Sequence, residues 1–241
     1  MLDRDTDQDW REIGASEPFF GVFTHERFLS QNLSPEVLTE FWETGVDEIA
    51  YLRTVAATHF PGFNPQTAID FGCGVGRLTR AIAGTVSSVT GVDVSPGMLE
   101  HARQGAPDNT NFQHEIPQAP VDWIVSMIVF QHIFPTQGYQ LFRALLEKLA
   151  PGGVMTLHFT IYKDATVIPL HMERIALGAW DGARFTAFAE NPPPEGSVLM
   201  FDYDLSRLMA ISHSCGVEKV WLEHTNHGGC HGVVMYGQKA S

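Results

Sequence analysis

Three glycines at alternating positions follow a short apolar segment near residue 70. The segment Ala68–Phe71 is apolar except for Asp70, and Gly72, Gly74 and Gly76 come directly after it. The residues that follow have the apolar spacing of a helix, so the pattern predicts a strand, a glycine-rich turn and a helix. Such a turn can bring a nucleotide-like ligand onto a helix N-terminus, because glycine lacks a Cβ and lets the backbone approach closely.

A carboxylate that could bind a ribose follows the next predicted strand. Val89–Val92 is predicted as that strand, and Asp93 comes directly after it, one helix and one return strand beyond Gly76. A carboxylate in this position can accept hydrogen bonds from both ribose hydroxyls. Ser95 and Pro96 then predict the N-cap and the first residue of another helix. The two loops together predict a site for an adenosine-containing cofactor.

These two segments, DFGCGVG and GVDVSPGM, resemble the cofactor motifs of the class I S-adenosylmethionine (SAM)-dependent methyltransferases. The NAD fingerprint G-x-G-x-x-G fits less well, because it requires glycine where this chain has Arg77 or Thr79. The resemblance implies SAM as cofactor and S-adenosylhomocysteine (SAH) as its product. It also implies that the cofactor is bound by Asp70, Gly72, Cys73, Gly74, Gly76, Asp93, Val94 and Met98.

The resemblance implies two more cofactor contacts outside these loops. Members of the family often have an acid after the third strand, where this chain has Glu115 and, as an alternative, His114. Trp10, Arg11 and Gly14 resemble the entry segment of a bacterial group of methyltransferases. Arg11 would then pair with the cofactor carboxylate, and a solvated surface arginine is the alternative interpretation.

The order of predicted elements indicates an α/β fold with a parallel sheet and helices on both of its faces. The resemblance makes this a Rossmann-like, doubly wound sheet of seven strands with the last strand antiparallel. Residues 1–66 are predicted to form an N-terminal helical lid, with one helix beginning at Ser34-Pro35 and a second from Val46 to about Thr58. Residues 67–241 are predicted to form the SAM-binding methyltransferase domain, with a cap inserted after strand five at about 161–203.

Two histidines are candidates for catalysis. Methyl transfer from a sulfonium requires an aligned acceptor, exclusion of water and, for a hydroxyl acceptor, removal of a proton. His132 follows the fourth predicted strand, VDWIVSMIV at residues 121–129, where many members of the family have a histidine, and is the first candidate for the general base. A packing role that orients the loop is the alternative. His158, inside the fifth strand, is the second candidate, with a role in the core as its alternative.

The histidine-rich segment 224–231 has residue types that can bind zinc. It lies between two predicted strands, however, with Gly228 and Gly229 as their turn, so that no metal is predicted and polar lining of the site is favoured. Residues 191–195, NPPPE, resemble the NPPY box of amino-directed methyltransferases. That box follows strand four in the family, whereas here it follows strand five, so it is interpreted as a rigid loop.

Composition narrows the classes of partner. The chain has 241 residues, of which 44% are hydrophobic, and a formal net charge of −13, which opposes binding to nucleic acid. No apolar run long enough to span a membrane occurs, and the polar, acidic start differs from a secretion signal. Three scattered cysteines do not indicate a disulfide framework. A cytoplasmic protein with a small-molecule acceptor, and neither nucleic-acid nor membrane partners, is expected.

The functional prediction is a SAM-dependent methyltransferase that acts on a small molecule. O-methylation of a sugar or natural-product hydroxyl, with His132 as general base, is favoured. An N-methyltransferase for a small amine and a non-catalytic SAM-binding module are the alternatives. The acceptor's identity and the oligomeric state do not follow from the sequence.

Overall fold

The computed structural model describes residues 5–164, 175–180, 185–189 and 199–241. The main sheet has seven strands in the order β3-β2-β1-β4-β5-β9-β8, and β6 and β7 form a separate two-stranded sheet. The strands are β1 (Thr67–Phe71), β2 (Ser88–Val92), β3 (Thr110–Gln113), β4 (Val121–Ser126), β5 (Leu149–Lys163), β6 (Ile175–Trp180), β7 (Phe185–Ala189), β8 (Val217–His227) and β9 (Cys230–Lys239).

Strand direction agrees with the predicted fold. Strands β1 to β5 pair in parallel, and β9 is antiparallel to both of its neighbours, β5 and β8. The β8–β9 connection is a hairpin in which Gly228 and Gly229 have positive φ values of 63° and 89°. The predicted seven-stranded sheet with an antiparallel last strand is therefore confirmed, and the predicted glycine turn lies at this hairpin.

Seven α-helices are described around the sheet. They are α1 (Thr6–Ser16), α2 (Pro18–Val22), α3 (Pro35–His59), α4 (Arg77–Ala83), α5 (Pro96–Arg103), α6 (Pro135–Glu147) and α7 (Leu205–Ser214). Both predicted serine N-caps are present: Ser34 accepts a hydrogen bond from the backbone N–H of Val37, and Ser95 accepts one from Met98. These side chains satisfy backbone donors that the first helical turn leaves without partners.

Strand β4 shows how the core is divided between the two faces of the sheet. Ile124 packs with residues of α6 and α7 on one face, whereas Trp123 and Val125 pack with residues of α3 and α4 on the other. All three side chains are fully buried. Burial on both faces explains the continuous apolar run of this strand.

One correction concerns the N-terminal helices. The two helices predicted for residues 34 to 58 are one continuous helix, α3, which passes through Gly45. A Cβ on Gly45 would lie 2.6 Å from the carbonyl oxygen of Arg77. Glycine is therefore required there for the close approach of α3 to the start of α4, and it does not end the helix.

Replacing Gly45 with alanine is expected to destabilise the fold by about 1–2 kcal/mol. Alanine gains about 1 kcal/mol of helix propensity, but the clash with a backbone carbonyl costs more than this gain. The matched control is Gly84→Ala, whose Cβ would lie 3.5 Å from its nearest neighbour. Urea unfolding measures both, and a Gly45→Ala variant as stable as the control would contradict the expectation.

The ends of the predicted cap are partly described. Residues 161 to 163 belong to β5, and Tyr203 is buried, with its hydroxyl donating to the carbonyl of Ile133 at 2.8 Å. Between these ends, Lys163 and Asp202 form an ion pair at 2.6 Å. Residues 191–195 lie outside the described residues, and the division into lid, domain and cap stays a prediction.

No helix among the described residues is long and apolar enough to cross a membrane.

Candidate active site

A cavity of about 1730 Å³ lies at the carboxyl-terminal edge of the parallel strands. Its walls include the loops that follow β1, β2 and β4, together with residues of α1, α2 and α3. Ligands of open α/β sheets bind at this edge, because the loops that follow neighbouring strands converge there. The predicted cofactor loops and His132 therefore share one cavity.

Three glycines in the loop after β1 have left-handed conformations. Gly72, Gly74 and Gly76 have φ values of 75°, 53° and 86°, which glycine adopts at little cost. Gly72 and Gly74 line the cavity, and a Cβ on Gly72 would lie 2.4 Å from the side chain of Val129. Gly76 does not line the cavity; it is the N-cap of α4 and packs near the ring of Phe112.

Asp93 joins the loop after β2 to the glycine loop. One of its carboxylate oxygens accepts a hydrogen bond from Gly74 N and the other accepts one from Ser95 N, both at 2.8 Å. Burial raises the pKa of Asp93, and these two backbone donors oppose that effect. An ionised carboxylate has about four lone-pair sites, so these two bonds leave acceptor capacity for a ribose.

Asp70 lies beneath the glycine loop and is almost fully buried. It accepts a hydrogen bond of 2.6 Å from the hydroxyl of Thr79. Burial raises the pKa of Asp70 from 3.8 to about 6 and raises the pKa of the nearby Cys73 thiol well above its usual value. Both residues line the cavity, and the thiol is neutral at physiological pH.

The raised pKa of Asp70 predicts a pH-dependent contribution to stability. Because the folded state holds this proton more tightly than the unfolded chain, the contribution is present below about pH 4 and is lost as pH rises through about 6. Asp70→Asn keeps an acceptor for Thr79 without a charge. We expect the variant to be more stable than the wild type by about 2–4 kcal/mol at neutral pH, with a smaller difference near pH 5. Urea unfolding at both pH values tests this, and a constant difference would contradict it.

The other predicted cofactor residues divide into two groups. Val94, Met98 and Glu115 line the cavity, as does the alternative residue His114. Arg11 does not line it, and its guanidinium lies 3.7 Å from the carboxylate of Asp5. This conformation gives no support to a contact between Arg11 and the cofactor, which stays a prediction.

His132 lies in the 3-10 turn after β4 and is 9% exposed. Its Nδ1 is 2.8 Å from the carbonyl oxygen of Leu199, and its Nε2 is 3.0 Å from the amide nitrogen of Gln131. The ring packs against Trp10 of α1, with 5.0 Å between ring centroids. Burial lowers the pKa of His132 to about 4, so the imidazole is neutral at physiological pH.

His158, the second catalytic candidate, does not line the cavity. It is 1% exposed, and its Nε2 is 2.9 Å from the hydroxyl of Thr225. Its Nδ1 has no hydrogen-bond partner. Burial, followed by the charge of the neighbouring His227, lowers the pKa of His158 to about 3. This environment fits the alternative role in the core better than contact with a substrate.

The histidine-rich hairpin contributes to one wall of the site. Thr225 and His227 line the cavity, whereas His224 and His231 contact each other with 3.2 Å between ring nitrogens. Across the residues that the structure describes, no three histidine, cysteine or acidic side chains are arranged to hold a metal ion.

Several residues of the site were not predicted from the sequence. Ile128 lines the cavity with a φ of 61°, a strained conformation for a β-branched residue that no local sequence signal indicates. Gln131 and Asp7 also line the cavity. Trp10 was noted only as part of an entry motif, and its position against His132 depends on helix α1, which was not predicted.

Comparison with known proteins identifies the fold and the family. Residues 68–153 match the family model described as a methyltransferase domain. This match covers the glycine loop and Asp93, on which the resemblance depended, and it also includes His132. Residues 68–153 form a methyltransferase domain, and its cofactor loops are of the class I SAM-dependent type. The predicted resemblance to this family and the prediction of SAM as cofactor are confirmed.

The curated relatives are bacterial methyltransferases. The chain is 30% identical over 170 residues to trans-aconitate 2-methyltransferase of Rhizobium rhizogenes, a match that covers 66% of this chain and 60% of the relative. It is 34% identical over 146 residues to trans-aconitate 2-methyltransferase of an Azoarcus species, covering 58% and 54%. The chain therefore spans little more than half the length of these relatives.

Solved methyltransferase structures share the fold. Magnesium protoporphyrin IX methyltransferase of Synechocystis PCC 6803, solved with SAH, matches with a TM-score of 0.63 at 16% identity, covering 98% of this chain and 100% of that one. The N-methyltransferase NodS of Bradyrhizobium japonicum matches with a TM-score of 0.58 at 12% identity, covering 98% and 100%. At these identities the likeness concerns the fold.

The described residues of the methyltransferase domain fit SAM. The glycine loop presents backbone to the cavity at Gly72 and Gly74, where side chains would collide with neighbouring residues. Asp93 retains acceptor sites for ribose hydroxyls, and Met98 supplies an apolar surface in the same cavity. The cavity has room for a cofactor and a small acceptor together.

Proposed function

We propose that this protein transfers the methyl group of SAM to a hydroxyl group of a sugar or other natural product, with His132 as general base. The observation that carries the proposal is a neutral imidazole, in the wall of the cavity that also contains Gly72, Gly74 and Asp93. A neutral imidazole can accept a proton, and burial keeps this ring unprotonated throughout the physiological range.

In the proposed reaction SAM supplies a methyl group on a positively charged sulfur. The glycine loop and Asp93 bind the cofactor and fix its orientation, and Trp10 covers His132 from the side of α1 and excludes water. His132 accepts the hydroxyl proton at Nε2 while the new oxygen–carbon bond forms and the sulfur–carbon bond breaks. Positioning of the cofactor and the acceptor in one cavity supplies much of the rate in such a displacement.

The charges that line the cavity favour a neutral or cationic acceptor. The described lining residues include one arginine, Arg77, and one lysine, Lys148. Arg77 forms an ion pair with Glu48 at 2.6 Å, and Lys148 donates a hydrogen bond to Gln118. The acidic lining residues are more numerous: Asp7, Glu17, Glu48, Asp70, Asp93, Glu115, Glu147 and Glu223. This lining gives little support to a polycarboxylate such as the acceptor named for the curated relatives, and it makes a small amine the second candidate acceptor.

The test is an acceptor screen in which SAH formation is measured by mass spectrometry. Sugars, phenols, amines and trans-aconitate are each incubated with SAM and the protein. The Asp93→Ala variant, which is expected to bind the cofactor weakly, serves as the control. Turnover of hydroxyl compounds supports the proposal. Turnover restricted to amines supports the second candidate, and SAM binding without any turnover supports the non-catalytic module.

A cytoplasmic location stays a prediction.

We also propose that the inserted segment selects the acceptor. Because residues 161 to 163 belong to β5 and Tyr203 belongs to the core, the deletion that tests this is limited to residues 165–198, replaced by a short glycine–serine linker. We expect the acceptor KM to rise about tenfold or more, while the Kd for SAH, measured by calorimetry, changes little. An equal loss of cofactor binding would contradict this expectation.

A further inference from the structure

Three hydrogen bonds connect β5, the turn after β4 and the segment that precedes α7. Thr160 Oγ1 is 2.8 Å from Gln131 Oε1, Gln131 Nε2 is 3.0 Å from His132 Nε2, and His132 Nδ1 is 2.8 Å from the carbonyl oxygen of Leu199. Gln131 and Thr160 are 6% and 1% exposed. Buried polar groups with defined partners hold their neighbours in one orientation.

The donors and acceptors in this network can be assigned in one way for a neutral imidazole. A carbonyl oxygen can only accept, so His132 Nδ1 carries the proton, and Nε2 therefore has the lone pair. The amide of Gln131 must then turn its NH2 group toward Nε2 and its oxygen toward Thr160, whose hydroxyl donates. The proton on Nδ1 therefore determines the orientation of the Gln131 amide, and that orientation determines the direction of the hydrogen bond with Thr160.

We propose that Gln131 is a positioning residue: the Leu199 carbonyl keeps the proton of His132 on Nδ1, and the Gln131 amide holds the ring through the lone pair on Nε2. The inference rests on the proposed function, because it concerns the base of that reaction. Gln131 and His132 both line the cavity, so an acceptor hydroxyl can replace the Gln131 N–H at Nε2. The proton that leaves the acceptor then resides on Nε2, and Gln131 itself neither gains nor loses a proton.

The reverse orientation of the amide serves the protonated base. When Nε2 carries a proton, it needs an acceptor, and rotation of the Gln131 amide presents Oε1 to it. The NH2 group then faces Thr160 Oγ1, since a hydroxyl oxygen can accept as well as donate. Gln131 can therefore stabilise both protonation states of His132, provided that Thr160 remains beside it.

The segment before α7 holds this network from the other side. Leu199 accepts from His132, and the backbone N–H of Phe201 donates to the backbone carbonyl of Gln131 at 2.6 Å. Phe201 also packs against the ring of Phe134 with 5.4 Å between ring centroids. His158, on β5, is a titratable neighbour whose pKa the charge of His132 helps to lower.

The experiment records ¹⁵N-imidazole NMR spectra of the full chain as a function of pH, alongside turnover. In the wild type we expect the His132 signal of a neutral ring protonated on Nδ1 from about pH 6 to 8. Gln131→Glu places a carboxylate at Nε2, which favours the imidazolium. The pH at which the His132 signal becomes that of the charged ring, and the acidic limb of the pH–rate profile, should both move upward from about 4 by about one pH unit or more.

The matched control is Gln238→Glu, because Gln238 donates to Gly152 at the opposite edge of the sheet. It should leave the His132 spectrum unchanged. A folded Gln131→Glu variant whose His132 spectrum matches the wild type would overturn the inference, and so would a wild-type ring protonated on Nε2. The NMR result does not depend on turnover, so a His132→Ala variant that retains activity would overturn the proposed base without affecting this inference.

Discussion

Replacing Asp93 with alanine is expected to lower the affinity for SAH by about 30- to 700-fold, which corresponds to about 2–4 kcal/mol. The variant loses the carboxylate that would accept from the ribose hydroxyls. It also loses the bonds to Gly74 N and Ser95 N that hold the two cofactor loops together. Titration calorimetry with SAH and with SAM measures the change directly.

The fold should survive this substitution, because Asp93 follows the end of β2 and is outside the hydrophobic core. Its raised pKa shows that burial of the carboxylate opposes folding, so stability should fall less than cofactor affinity does. Glu100→Ala, which removes an exposed acid from α5, is the matched control and should bind SAH like the wild type. An Asp93→Ala variant that binds as tightly as this control would show that the ribose is bound elsewhere.

Replacing His132 with alanine is expected to reduce turnover of a hydroxyl acceptor by about 10²- to 10⁴-fold, the usual contribution of a general base. Cofactor affinity should change little, because the cofactor loops follow β1 and β2 whereas His132 follows β4. His213→Ala, which removes an exposed histidine from α7, is the control. If His132→Ala retains most of the activity, the amine acceptor becomes the better proposal.

The pH dependence of the wild type gives a second test of the same residue. The sequence alone predicts an inflection near the ordinary pKa of histidine, about 6.5. Burial lowers the pKa of His132 to about 4. The rate should therefore rise with pH through about 4 and be nearly constant between about pH 6 and 8. Loss of the acidic limb in His132→Ala would support the assignment, and an inflection near 6.5 that persists in the variant would contradict it.

The cofactor half of the site could be predicted because its determinants are local in sequence. A glycine loop directly after a strand, and an acid directly after the next parallel strand, must meet at one edge of the sheet. The same reasoning predicted the serine N-caps at Ser34 and Ser95, since a cap depends on residues within one helical turn. Gly45 shows the limit of local reasoning, because glycine weakens a helix in isolation but here permits contact with α4.

The sequence by itself determined the fold class, the cofactor and the strand end from which His132 projects. The tertiary structure alone decided the environment of that histidine. Leu199 is distant from His132 in sequence, and Trp10 reaches the ring from the N-terminal helix. Burial and hydrogen bonding by such distant residues set the tautomer and the pKa, because both depend on the solvent and polar groups that surround the imidazole in space. These surroundings exist only after the chain has folded.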